Sequence, residues 1–283
     1  MLGYLHIQLP VSRIRRRLEN SSPSGKEDQR RCRMPAGDEN ESIVRKKDGK
    51  WRTAVKGTKI DAKNIGAVGF LIHPKIQPSI LSHEILSPRI AELRLRTEKK
   101  ATITIVNCYA PNFVGSEEDK DNFYSELEAV IRKEKSYYKY ICGDFNALVG
   151  NGSDGNWRLG RHGNENRNDN GFRLLDLMCS CNLFHGNSIF EKRQHRRWTW
   201  ESPNGQTHSE LDHILTNRRW SLMDVTVLPS FVSGSDHRLL RGKIRLNEHI
   251  FKRDTHIAAH PHALLNTTKP NYRRPWKPIT GEK

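Results

Sequence analysis

The sequence predicts an α/β domain made of two packed sheets with helices on the outside. Three observations point there. Strand-like stretches recur from about residue 65 to residue 246, through both halves of the chain. Amphipathic helical patterns are few, and a strand–helix–strand order appears clearly once. Outside this region, at either end, the periodic apolar pattern is lost. Sheets that outnumber helices in this way bury their apolar faces best against each other.

Residues 1–59 are basic, dotted with Ser and Gly, and poor in periodic pattern. They read as a disordered N-terminal arm. Its densest charge cluster, Arg13-Ile14-Arg15-Arg16-Arg17, is a solvated segment, a nucleic-acid contact or an import signal. The ordered domain is expected over residues 60–247. Residues 65–72 form a strand whose glycines permit close backbone approach. Residues 90–96 alternate apolar and polar side chains, as in a half-exposed strand. Residues 101–109, with Ile103, Ile105 and Val106, form a more buried one that delivers Tyr109 to a loop. Ser116 opens a helix, with Asp119 three residues on as a variant capping box. Phe123, Leu127, Val130 and Ile131 share one face of that helix.

An aromatic and apolar run at 137–142 is the next strand. Residues 150–170 are rich in Gly and Asn, and carry Arg158, Arg161, His162 and Arg167. They read either as a DNA-facing hairpin or as a surface loop. Residues 171–183 form a second amphipathic helix around Phe172, Leu175, Leu177 and Met178. Short strands follow, separated by turns such as Pro203-Asn204-Gly205. Residues 248–283 read as a basic tail or linker. No internal repeat is present.

Composition narrows the partners. The 283 residues carry 48 Lys and Arg against 32 Asp and Glu, a net charge of +16. That excess points to a polyanion, nucleic acid first and an anionic membrane surface second. No apolar run approaches the ~18 residues of a membrane span. The first residues lack the apolar core and cleavage site of a secretory signal. Five cysteines without a C-x-x-C pattern suit reduced thiols, hence cytosol or nucleus rather than secretion. Cys179 and Cys181 are too few for a zinc site and are expected to pack within a helix.

The chemistry concentrates in three places. The 137–142 strand breaks at Gly143, and Asp144 and Asn146 follow two residues apart. Period-2 alternation puts both on one side and turns Phe145 into the core. A carboxylate and a carboxamide so placed suit hydrolysis, one taking a proton and the other holding water or an oxyanion. Alone, the pair also fits the capping of a turn. Glu210-Leu211-Asp212-His213 and Gly234-Ser235-Asp236-His237 lie at or beside two further strand ends. His213 should point away from its neighbour Asp212 and stay out of any shared site.

In the order G-D-F-N, L-D-H-I, G-S-D-H, these segments resemble the endonuclease/exonuclease/phosphatase superfamily, the group of DNase I and the apurinic/apyrimidinic endonucleases. The chain is most similar to the endonuclease domain of non-LTR (LINE-type) retrotransposons. Gly66-Ala67-Val68-Gly69-Phe70, Asn107-Cys108-Tyr109-Ala110-Pro111-Asn112 and Arg197-Trp198-Thr199-Trp200-Glu201-Ser202-Pro203-Asn204-Gly205 extend the resemblance over residues 64–246. It implies a DNase I-like four-layered α/β sandwich and a Mg²⁺-dependent endonuclease, with Mn²⁺ as a substitute, that nicks DNA and leaves a 3′-hydroxyl.

By the same resemblance Asp144 positions or deprotonates the attacking water, and Asn146 holds the reacting phosphate. His237 contacts the scissile phosphate, Asp212 orients His237, and Tyr109 touches the phosphate or packs in the core. Asp236 is a metal ligand, directly or through water, or a loop cap. From their own chemistry, Arg196, Arg197 and Arg238, with Asn112, are candidate contacts to the DNA backbone, and Trp198 and Trp200 stack on bases or pack in the core. DNA is the implied partner, with no membrane and no small-molecule cofactor. The cell compartment is nuclear or cytoplasmic. A reverse transcriptase follows in retrotransposons of this type, outside this chain.

The family's first strands, one carrying an Asn and the next a metal-binding Glu, are not visible in residues 1–59. Glu41 stands at about the right spacing, though Gly37-Asp38-Glu39-Asn40 and not an apolar strand precedes it. The expectation is therefore an N-terminally truncated domain that binds metal weakly and cleaves slowly. Two alternatives accompany it. One is an inactive DNA-binding remnant; the other is a phosphatase of the phosphoinositide or sphingomyelin type on the same scaffold.

Overall fold

The computed structural model describes residues 4–8, 41–45, 51–56, 68–73, 76–97, 101–152, 155–164, 166–228 and 235–246, the first three segments as backbone only. The chain divides into two units, Met1–Leu246 and Asn247–Lys283, and every described residue lies in the first. The strands are β1 (Tyr4–Gln8), β2 (Glu41–Arg45), β3 (Trp51–Lys56), β4 (Gly69–Ile72), β5 (Ile80–Ser87), β6 (Ile90–Arg96) and β7 (Thr102–Tyr109). Helix α1 (Glu117–Lys133), strand β8 (Tyr138–Asp144) and helix α2 (Asp169–Ser180) follow. The remaining strands are β9 (Phe184–His185), β10 (Trp200–Glu201), β11 (His208–Ser209), β12 (Asp212–Thr216), β13 (Leu222–Leu228) and β14 (Leu239–Arg245).

A central six-stranded sheet has the order β5-β6-β7-β8-β12-β9. Two three-stranded sheets, β1-β14-β13 and β2-β3-β4, and the small β10-β11 pair complete the architecture. Alternation along β7 shows how the layers form. Ile103 and Ile105 face one core with Val225, Val227, Leu240 and Ile244 of the β13–β14 sheet. Val106 and Cys108 face the other, with Phe123, Leu127 and Ile131 of α1 and Leu174, Leu177 and Met178 of α2. A central sheet buried on both faces, between a second sheet and helices, is the sandwich that the sequence predicts. Each fully buried aliphatic chain contributes about 1.5–3 kcal/mol to it.

The Ser116 cap forms as expected, its side chain accepting the Asp119 N–H at 3.1 Å. Glu117, Glu118 and Asp119 occupy the first turn of α1 and Arg132 and Lys133 the last, which complements the helix dipole. No helix among the described residues is long and apolar enough to cross a membrane.

Four expectations need correcting. Strands β1, β2 and β3 fall within residues 1–59, where an unstructured arm is expected. β1 joins β14 antiparallel, Tyr4 opposite Arg245, so its partner is nearly the whole domain away in sequence. Second, β8 does not break at Gly143 but runs through it to Asp144. Gly143 has φ 150°, and a Cβ there would overlap the Cys108 carbonyl, so only glycine lets the strand continue between β7 and β12. Third, α2 starts at Asp169 and buries Leu174, Leu177 and Met178, whereas Phe172 is exposed. Fourth, the Gly/Asn-rich loop is anchored. Arg158 is buried and donates to the Asn182 side-chain Oδ1 at 2.6 Å, and the Arg167 Nε donates to the Val149 backbone carbonyl at 2.7 Å.

Candidate active site

Three neighbouring strands of the central sheet end at the same edge. β7 ends on Tyr109 and β8 on Asp144, while β12, antiparallel to β8, starts there with Asp212. Tyr109 is in register with Asp144, and Asp144 with Asp212, so the three form a row. Their alternation matches that of Ile105, Cys142 and Ile214, which face the second sheet. The row therefore stands at the mouth between the two sheets. His237 enters from the segment before β14, and a β-bridge to Trp200 fixes its backbone.

The His237 Nδ1–H donates to Asp212 Oδ2 at 2.8 Å, and its Nε2 stands 3.7 Å from Asp144 Oδ2. All three side chains are largely buried. Burial pushes the Asp144 carboxyl up to about 7; the Asp212 charge adds to this, and His237 and the Asn146 N–H oppose it. Burial pulls the His237 imidazole down, but the hydrogen bond and charge of Asp212, helped by Asp144 and Asp236, outweigh it and raise it to about 9. An imidazolium thus lies between two carboxyl groups near neutral pH. A carboxylate that titrates near 7 suits a general base, and a fixed imidazolium suits a phosphate oxygen.

Asn146 follows with φ 48°, in the left-handed region. Its backbone N–H donates to Asp144 Oδ1 at 2.9 Å and its Nδ2 to the Ala110 carbonyl at 2.9 Å. Phe145 is fully buried, as alternation predicts. His213 indeed turns to the helix side. Its Nε2–H donates to the Ala147 carbonyl at 2.8 Å, so its Nδ1 accepts from His185 Nε2 at 2.9 Å. Burial lowers both imidazoles.

Two supports of Asp212 escaped the sequence reading. The Thr199 hydroxyl accepts the N–H groups of Leu211 at 3.0 Å and Asp212 at 3.1 Å. The Asn187 side chain donates to the Asp212 carbonyl at 2.9 Å and accepts the Ile214 N–H at 3.1 Å. Asn187 so replaces a missing strand along β12, because β9 pairs only with Leu215 and Thr216. Thr199 lies between Trp198 and Trp200, where nothing in the local pattern marks its hydroxyl as a cap. Asn187 had no signal at all.

The other candidate residues are scattered. Arg197 is not a DNA contact: it is buried, its Nε 3.2 Å from Glu210 Oε2, and it also donates to the Asn187 carbonyl. Arg196, its neighbour, is exposed. The Arg238 guanidinium lies 3.0 Å from the centre of the Trp198 ring, which meets His208 at 4.2 Å. Asn112 is exposed, with Oδ1 accepting the Val114 N–H at 3.2 Å in a turn. Asp236 is exposed, and its Oδ2 accepts the Trp200 indole N–H at 3.3 Å. Glu41 opens β2 in register with Val55, which is itself opposite Phe70; the Glu41 side chain lies outside the described residues.

Asp144, Asp212 and Asp236 offer the hard oxygen donors that Mg²⁺ prefers. Among the described residues, however, no three His, Cys, Asp or Glu side chains converge as a metal centre. Asp144 and Asp212 both face His237 instead. The described side chains alone therefore do not form a metal centre. The described cysteines, Cys108, Cys142, Cys179 and Cys181, are free thiols.

The chain is 29% identical over 195 residues to craniofacial development protein 2 of Tragulus javanicus, covering 66% of this chain and 33% of that protein. It thus spans about a third of that curated relative's length. Among solved structures it is similar to the 3′ phosphatase NExo from Neisseria bound to product DNA hairpin, at 14% identity and a TM-score of 0.49, covering 68% of this chain and 78% of the other. It is also similar to the endonuclease domain of TRAS1, a telomere-specific non-LTR retrotransposon, at 16% identity and a TM-score of 0.48, covering 69% and 80%. The model of the endonuclease/exonuclease/phosphatase family matches residues 35–237, starting well before the resemblance at residue 64 and including Glu41. With most of its length matched, this chain belongs to the endonuclease/exonuclease/phosphatase family.

Proposed function

We propose that the chain is a metal-dependent phosphodiesterase that nicks DNA in the manner of retrotransposon endonucleases. The observation that carries this reading is the Asp212–His237–Asp144 array, with His237 fixed at 2.8 Å by one carboxylate and 3.7 Å from the other. In the reaction Asp144 takes the proton of the attacking water, the P–O3′ bond breaks as the new P–O bond forms, and the departing 3′ oxygen takes a proton from solvent to become the 3′-hydroxyl. His237, held by Asp212, places positive charge on a phosphate oxygen as it develops in the transition state. The second N–H of the Asn146 amide, beyond the one bound by Ala110, is directed to the same phosphate.

Family enzymes generally require a divalent metal, which would neutralise phosphate charge here. Asp236 and Glu41 are the proposed ligands, with Mg²⁺ as the ion. Glu41 falls within the family match and on a strand whose sheet reaches the Gly69 carbonyl, which accepts from Asn107 two residues before Tyr109. Arg196, Arg238 and Asn112 are proposed backbone contacts. The net charge of +16 supports nucleic acid over an inositol or sphingolipid substrate.

A supercoiled plasmid incubated with the chain in Mg²⁺ tests the proposal. Nicking that disappears in Asp144→Ala and in His237→Ala is the expected result. Nicking that survives both removes the site assignment, and phosphate release without nicking replaces the nuclease by a phosphatase. One observation favours a second reading, a DNA-binding protein without turnover: the described residues assemble no three-ligand metal centre. It predicts salt-sensitive DNA binding with no nicking in Mg²⁺ or Mn²⁺.

A further inference from the structure

We infer that Asn168 and Asn170, at the start of α2, are positioning residues that jointly hold the Asn146 carbonyl and so aim the Asn146 amide into the site. The inference rests on the phosphodiesterase reading for its catalytic meaning, though not for its geometry. Asn146 is a non-glycine residue at φ 48°, a strained left-handed conformation that persists only where neighbours hold it. Two side-chain amides converge on its carbonyl oxygen: Asn168 Nδ2 at 3.1 Å and Asn170 Nδ2 at 3.3 Å.

Helix capping explains only part of this. The Asn168 Oδ1 caps α2 by accepting the Gly171 N–H at 2.8 Å, and it also accepts the Leu148 N–H at 2.9 Å. A serine cap would serve α2 as well, yet it has no nitrogen to give Asn146. Asn170 has no capping role. It is 3% exposed, and its Nδ2 also faces the carbonyls of Pro111 at 2.9 Å and Phe145 at 3.4 Å. Its Oδ1 is buried and meets no donor among the described residues. A buried acceptor without a donor is destabilising, so an apolar side chain would suit packing better. What Asn170 supplies is therefore its donor group.

Those carbonyls belong to the two segments that leave the catalytic edge. Pro111 follows Ala110, whose carbonyl takes the Asn146 Nδ2, and Phe145 and Asn146 follow Asp144. Asn170 ties the segments together at the point where the Asn146 side chain emerges. Tyr124 of α1 in turn donates to the Asn170 carbonyl at 3.1 Å, fixing the clamp to the helical layer.

The test compares the parent chain with Asn168→Ser, which keeps a cap but loses Nδ2, and with Asn170→Leu. NMR exchange of the Asn146 side-chain amide, measured without metal or DNA, is expected to quicken about tenfold in Asn168→Ser while Tm stays within about 2 °C. In plasmid nicking, kcat is expected to fall about tenfold with KM unchanged. Unchanged Asn146 exchange in folded Asn168→Ser overturns the inference, whatever happens to Tm. A parent chain that does not nick defeats the phosphodiesterase reading, and the exchange comparison still decides the clamp. Asn170→Leu, if folded, should reproduce the exchange effect; unaltered exchange there also overturns it.

Discussion

His237 and Asp212 meet through a 2.8 Å hydrogen bond, although one enters before β14 and the other starts β12 of the central sheet. The bond joins the two sheets at their mouth and leaves the other imidazole nitrogen toward Asp144.

Removing that bond separates orientation from charge. In Asp212→Ala the His237 midpoint, raised to about 9 largely by Asp212, is expected to drop toward its ordinary value, as followed by NMR titration of the imidazole. Nicking should fall by about 100-fold or more, because losing one positioned stabiliser of the charge that develops in the transition state costs about 10²–10³. A His237 midpoint that stays near 9 in this variant would contradict the assignment.

Stability in chelator should decline as pH rises. The folded Asp144 carboxyl binds its proton more tightly than the unfolded one, at about 7 against 3.8, so ionising it costs folding energy across that window. His237 acts in the same direction: its stabilisation is complete below 6.5 and is lost as pH climbs through about 9. The two titrate as a coupled set, so the observed midpoints belong to the pair. Denaturant unfolding between pH 4 and pH 10 checks this. Asp144→Asn should flatten the lower part of the decline, and a stability that rises across the range would refute it.

Arg197 and Arg196, adjacent in sequence, should behave oppositely. Arg197→Ala leaves the buried Glu210 with the Asn187 amide but without its cationic partner, a change that typically costs about 3–5 kcal/mol. Arg196→Ala, at the surface, should stay within about 0.5 kcal/mol. Its effect is expected in DNA binding, where one lost phosphate contact lowers the salt slope by about one. Denaturant melts and binding isotherms at several salt concentrations separate the two.

Gly143→Ala tests the strand that carries Asp144. At φ 150°, with the Cys108 carbonyl in the way of a Cβ, the substitution should cost at least about 1–3 kcal/mol. Nicking should fall further than stability, since Asp144 is the next residue. A variant as stable as the parent would mean that β8 does not run through Gly143 as described.

Much of the site was legible because its residues sit in short, local patterns. Asp144 and Asn146 follow a strongly apolar strand, and Asp212 and His213 alternate so cleanly that His213 could be set aside. Arg197 was not legible. Beside Arg196 it looks like one more surface charge, and only Glu210, thirteen residues on, makes it a core residue. Asn187 and Asn170 carry no local signal, since each serves carbonyls brought near by other strands.

The sequence by itself determined the layered α/β class, the two helices, the half-exposed β6 and the buried β7 and β8, and the acidic groups and imidazole proposed to carry the chemistry. These follow from period and turn chemistry, which act between neighbours. Only the tertiary structure decided that β1 completes the β14 edge, that Arg197 is turned inside, and that Thr199 and Asn187 support Asp212. Those outcomes depend on burial and on hydrogen bonds between groups far apart in the chain, and no local pattern encodes either.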